Sequence, residues 1–92
     1  MTEAHLQNYV LERLAIMERQ GKGYAFRNNK PGMPDIVACL PGGRFLGLEL
    51  KSEKGRQSPE QKQAQASIEA LGGLYALLRT PEEFEGLLKG LA

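Results

Sequence analysis

The tightest constraint in this sequence is a period-two pattern between Arg44 and Lys51. Leu46, Leu48 and Leu50 take every second position, and Glu49 and Lys51 fall between and after them. Strand side chains alternate faces, so a strand here has three leucines on one side and an acid and a lysine on the other. Pro41-Gly42-Gly43 lies just before it, after a second strand-like run from Asp35 to Leu40, which predicts an antiparallel hairpin. With Cys39 paired to Phe45 across the turn, Asp35 stands opposite Glu49, while Ile36 and Ala38 join the leucines and Lys51 shares the carboxylates' face. A one-residue slip would turn Glu49 onto the apolar face, so the leucines set the register.

Side chains directly opposed in such a pair have Cβ atoms ~4.5–5.5 Å apart. Two carboxylates that close repel strongly and can share one cation. Oxygen-only donors suit Mg²⁺ or Mn²⁺, hard ions that keep several waters. A Glu-x-Lys at a strand end also occurs as a solvated edge, and an Asp after Pro as a turn residue. Other chemistries are excluded more firmly. Cys39 and His5 are the only residues of their types, so the chain has no internal disulfide and no Cys/His zinc site, and any metal must be held by oxygen. No Ser/His/Asp set and no phosphate-binding glycine loop is present. His5 and Cys39 read as structural.

Around the hairpin, Thr2 caps a helix over about 3 to 20 with Leu6, Tyr9, Val10, Leu14 and Met17 on one face, ended by Gly21 and Gly23. Tyr24 to Asn28 reads as a short strand, with Tyr24 and Phe26 taken as core residues rather than base-stacking platforms, followed by the breaker-rich Asn29 to Pro34. Ser58-Pro59-Glu60-Gln61 is a capping box opening a helix with Ala64, Ile68 and Leu71. Leu74 to Arg79 reads as a buried strand, and Thr80-Pro81-Glu82-Glu83 opens a last helix carrying Phe84, Leu87, Leu88 and Leu91.

The order αβββαβα predicts an α/β fold, a small mixed sheet with flanking helices, and 92 residues suit a single domain, 1–92. Hydrophobic residues at 41% and charged residues at 25% are those of a folded chain. No apolar run approaches the ~20 residues of a membrane span, and Met1-Thr2-Glu3 does not begin a signal peptide, so a cytoplasmic protein with no membrane partner is expected.

Net charge is +1, but it is unevenly placed. From Arg19 to Lys62 there are 9 basic residues against 4 acids, and the flanks hold 3 against 7. A basic middle suits a polyanionic partner, although a solvated charged loop gives the same count.

Pro34-Asp35, thirteen intervening residues, then Glu49-Leu50-Lys51 resembles the PD-(D/E)XK nuclease core. Gly32-Met33-Pro34-Asp35, Gly55-Arg56-Gln57-Ser58, Gln61 and the early-helix acid Glu3 narrow the resemblance to the virus-type replication-repair nuclease (VRR-NUC) domain, over nearly the whole chain. The resemblance implies an αβββαβ core related to Holliday junction resolvases, as in stand-alone phage and bacterial enzymes. It implies Asp35, Glu49, the Leu50 carbonyl and Glu3 as metal ligands, Lys51 beside the attacking water, and Gln61 facing the metal site. Glu3 lies in line with Leu6, Val10 and Leu14, pointing toward the sheet, and is equally an acid favoured by the helix dipole. Gln61 is also explained by the capping box alone.

Lys54, Arg56 and Lys62 follow the active strand and can contact phosphates, with Arg27, Lys30 and Arg44 as a wider rim. The function expected is a Mg²⁺- or Mn²⁺-dependent DNA endonuclease, selective for branched, Holliday junction-like structures in repair or recombination. Its rivals are an RNA nuclease and a non-catalytic nucleic-acid- or partner-binding module. A homodimer is expected, because Tyr9, Tyr75, Phe84, Leu87, Leu88 and Leu91 offer more apolar surface than one sheet face absorbs. Glu82, Glu83 and Glu85 would keep the last helix away from DNA.

Overall fold

The structure is a computed structural model describing residues 1–91; Ala92, the end of the expected domain, lies outside the described residues. Helix α1 (Glu3–Arg19) starts where the Thr2 hydroxyl accepts a 3.1 Å bond from the His5 N–H, and it buries Leu6, Val10 and Leu14. Strands β1 (Tyr24–Arg27), β2 (Ile36–Leu40) and β3 (Arg44–Leu50) follow, then α2 (Pro59–Ala70), β4 (Leu74–Leu78) and α3 (Pro81–Leu91). The sheet order is β1-β2-β3-β4, with the first three strands antiparallel and β4 parallel to β3. A parallel neighbour needs a crossover, and α2 supplies it. Among the described residues no helix is long and apolar enough to cross a membrane.

The hairpin takes the register set by the leucines: Cys39 pairs with Phe45, and Ile36 with Leu48. Gly42 and Gly43 make the turn at φ 82° and 75°, left-handed values that favour glycine. Leu46, Leu48, Leu50, Ile36 and Ala38 form one core with the α1 stripe and with Phe84 of α3. The opposite face, which carries Glu49, is closed only toward β4, where Ile68 of α2 lies over Gly47 and Gly73.

That partial cover corrects two expectations. Tyr24 and Phe26 are not core: they are 62% and 52% exposed, because they pair with Cys39 and Val37 on the part of that face that α2 does not reach. The six terminal-element residues expected to supply surplus apolar surface, conversely, are none of them exposed. Phe84 is fully buried, Leu87, Leu88 and Leu91 pack against the core, the Tyr9 hydroxyl donates to Glu85 at 2.6 Å, and Tyr75 turns toward Glu49. Uncovered apolar groups lie chiefly at Tyr24, Phe26, Met33, Phe45 and Leu71, with Met1 and Ile16 exposed at the N-terminal end and on α1. Strand β4 is half-buried over most of its length, since it is a sheet edge rather than the buried strand expected.

Candidate active site

The two carboxylates are brought together by the segment entering β2. Asn28 closes it: its N–H donates to the Asp35 carbonyl at 2.8 Å and its side-chain amide to the Pro34 carbonyl at 3.0 Å. Pro34 is buried against Gly47, where a Cβ would stand 2.8 Å from the proline Cγ. Glycine at 47, two residues before Glu49 on the same face, therefore lets Pro34 settle and sets where Asp35 begins. Asp35 then accepts the Leu50 N–H on Oδ2 at 2.7 Å, so its side chain continues the β2–β3 ladder one step past the Ile36–Leu48 pair.

Glu49 is the one buried charged side chain among the described residues, at 1% exposure. Its Oε2 accepts from the Gln61 amide at 3.0 Å and its Oε1 from the Tyr75 hydroxyl at 3.3 Å. Burial first, and the adjoining Asp35 second, push its pKa up to about 8, against a smaller opposite pull from Lys51. Gln61 both closes the capping box and faces Glu49. Its Oε1 accepts the Ser58 N–H at 2.8 Å in the capping box, which leaves only the NH₂ end to face Glu49.

Tyr75 and Gln57 were not expected in the site. Gln57 donates to the Tyr75 hydroxyl at 3.0 Å and to Gln65 at 2.9 Å. Burial raises the Tyr75 pKa to about 12, so its hydroxyl stays a donor. The signal that finds Tyr75 is its pairing with Gly47 across the parallel β3–β4 ladder, which places it on the face of Glu49. Gln57 lies within the Gly55-Arg56-Gln57-Ser58 motif.

Lys51 is half-buried directly after β3, and its N–H donates to the Leu78 carbonyl at 3.0 Å. Lys30, Lys54, Arg56 and Lys62 are exposed and have no ion-pair partner among the described residues, where Arg13–Glu85 is the only pair. Glu3 is exposed in the first turn of α1, the helix that covers the leucine face, instead of lying in the buried stripe. Among the described residues no group of three or more acid, His or Cys side chains is gathered for a metal, so Asp35 and Glu49 meet without Glu3.

A four-stranded mixed sheet with facing carboxylates and a lysine at the end of its central strands is the arrangement expected of nucleases of the PD-(D/E)XK type. Within that class, the VRR-NUC domain family matches residues 4–81, most of the chain, and the protein belongs to that family. A solved structure described as a VRR-NUC domain superposes with a TM-score of 0.78 over 97% of each chain, at 20% identity, and shares the fold. No curated protein matches the chain.

Proposed function

We propose that residues 1–92 act as one nuclease domain that hydrolyses DNA phosphodiesters endonucleolytically with Mg²⁺ or Mn²⁺. The observation that carries this reading is Glu49, buried beside Asp35 at the end of the sheet next to Lys51. The residues fit a divalent ion: the donors are oxygens, and a cation between them would offset the burial, and after it the Asp35 carboxylate, that hold Glu49 protonated. Asp35, Glu49 and the Leu50 carbonyl would hold it, and Glu3 enters this set from the family resemblance alone. When bound, the ion supplies Lewis-acid charge at the scissile phosphate.

The chain's own groups do the rest. Gln61 and Tyr75 fix the two oxygens of Glu49, and the Leu50 N–H fixes one oxygen of Asp35. Lys51 orients the attacking water or takes up charge on the phosphoryl oxygens in the transition state. Lys54, Arg56, Lys62 and Lys30 hold the flanking backbone.

Branched DNA is the proposed substrate, cut by a homodimer whose interface is the uncovered sheet face. On that face Tyr24, Phe26, Val37, Cys39 and Phe45 carry no charge, which suits a second copy better than a phosphate backbone. Two sites related by a two-fold axis match a symmetric junction. A gel assay with Mg²⁺ and Mn²⁺ on four-way junctions, flaps, linear duplex, single strands and RNA tests all of this. Junction cutting lost in Asp35→Asn is the expected result; cutting confined to RNA would change the polymer, and no cutting would leave a binding module.

A further inference from the structure

Lys51 opens a loop, residues 51–58, that joins β3 to α2 and carries Lys54 and Arg56. Within its first half the loop makes one backbone bond of its own, Gly55 N–H to the Ser52 carbonyl at 3.1 Å. Three of its carbonyls nevertheless converge on one nitrogen. Nη1 of Arg79 donates to Ser52 at 2.6 Å and to Gly55 at 2.7 Å, with Glu53 at 3.3 Å. Arg79 is itself fixed, because its N–H and that of Thr80 donate to the Glu83 carboxylate at 2.7 and 3.0 Å while the Thr80 hydroxyl accepts the Glu83 N–H at 3.1 Å. The loop is also pressed onto Lys51: a Cβ at Gly55 would stand 3.3 Å from the lysine Cδ and 3.4 Å from its Cβ.

We infer that Arg79, a residue with no contact to either carboxylate, is a positioning residue for the Lys51 side chain: it holds the 52–55 turn against the lysine stem and with it the places of Lys54 and Arg56. This rests on the proposed role of Lys51. The charge suits the task, since a guanidinium donor to backbone carbonyls makes a charge-assisted bond and presents its N–H groups in a rigid fork. Without it, the turn keeps one internal bond and Lys51 loses the wall that restricts its rotamers.

The test uses Arg79→Ala and Arg79→Gln beside wild type and Lys51→Ala. Arg79→Ala is expected to lower kcat roughly ten- to a hundredfold, the scale of a small displacement of a reacting group. Manganese affinity measured by calorimetry should stay within about twofold, because neither carboxylate is touched. Millimolar guanidinium should restore part of the rate to Arg79→Ala and none to Lys51→Ala. Hydrogen exchange should quicken at the Gly55 amide while α1 and β2 keep their protection. Arg79→Gln, which retains a neutral donor, should lie between wild type and Arg79→Ala, and it replaces the alanine variant if that protein does not fold. Full activity in Arg79→Ala beside an inactive Lys51→Ala would overturn the inference and leave the nuclease reading intact; so would a loss of rate accompanied by equal loss of manganese affinity and of protection throughout the fold. A fully active Lys51→Ala would instead remove the premise.

Discussion

Replacing Glu49 by glutamine should stabilise the metal-free protein, and by more as the pH rises. In the native state burial and Asp35 hold the Glu49 carboxyl at about 8, against 4.5 ordinarily. Between those values the folded chain keeps a proton that the unfolded chain has released, so stability falls as pH rises, by about 1.4 kcal/mol per unit for one group. The full cost from this group at pH 8 is therefore about 5 kcal/mol, present above that pH and absent below 4.5. Structural relaxation and entry of water offset part of it, which makes about 2–3 kcal/mol the expected gain for Glu49→Gln at pH 8. The amide keeps one of the two bonds, its oxygen still accepting from Gln61, while the Tyr75 hydroxyl, which accepts from Gln57, loses its acceptor, a cost within that offset. At roughly 4–8 °C per kcal/mol for a domain of this size, melting temperature in chelator should rise by about 10–20 °C at pH 8 and converge with wild type near pH 4.5. Saturating Mn²⁺ should narrow or reverse the order by stabilising wild type alone. A variant no more stable than wild type at pH 8, or two melting curves parallel from pH 5 to 8, would refute the idea that Glu49 is held at an electrostatic cost.

Asp35→Asn should abolish cleavage without lowering the melting temperature, because the amide oxygen can still accept the Leu50 N–H and the charge that opposes Glu49 ionisation is gone; retained cleavage would exclude Asp35 from the site. Gly47→Ala forces a Cβ to within 2.8 Å of Pro34 and should cost about 1–3 kcal/mol while lowering cleavage through displacement of Asp35, so an unchanged melting temperature would contradict the packing described. Light scattering should give twice the chain mass for wild type and the single-chain mass for a Tyr24→Ser, Phe26→Ser protein, and a monomeric wild type would remove the proposed interface. The rise in melting temperature on adding Mn²⁺ should grow as pH approaches 8, where protons stop competing for Glu49, and a pH-independent rise would place the ion elsewhere.

Much of the site was legible in the chain because its geometry follows from neighbours along the strand. The alternation of Leu46, Leu48 and Leu50 and the glycine turn fixed the β2–β3 register, and that register, continued one residue past β2, sets Asp35 beside Glu49. The caps at Thr2 and Ser58 are equally local, so α1 and α2 begin as their sequences imply. Periodicity assigns a residue to a face but not to whatever covers that face. Tyr24 and Phe26 alternate like core residues and are exposed because α2, twelve residues long, lies along β4 and stops short of β1. Tyr75 reads as an apolar strand residue until the parallel crossover sets it beside Gly47 and within reach of Glu49. Arg79 reads as the charged end of a strand until tertiary folding places the 52–55 carbonyls around its guanidinium. The environment that raises the Glu49 pKa belongs to the same group of facts, for Asp35 before β2, Gln61 of α2 and Tyr75 of β4 all meet around it, and the free energy of a desolvated charge depends on all of them being in place at once.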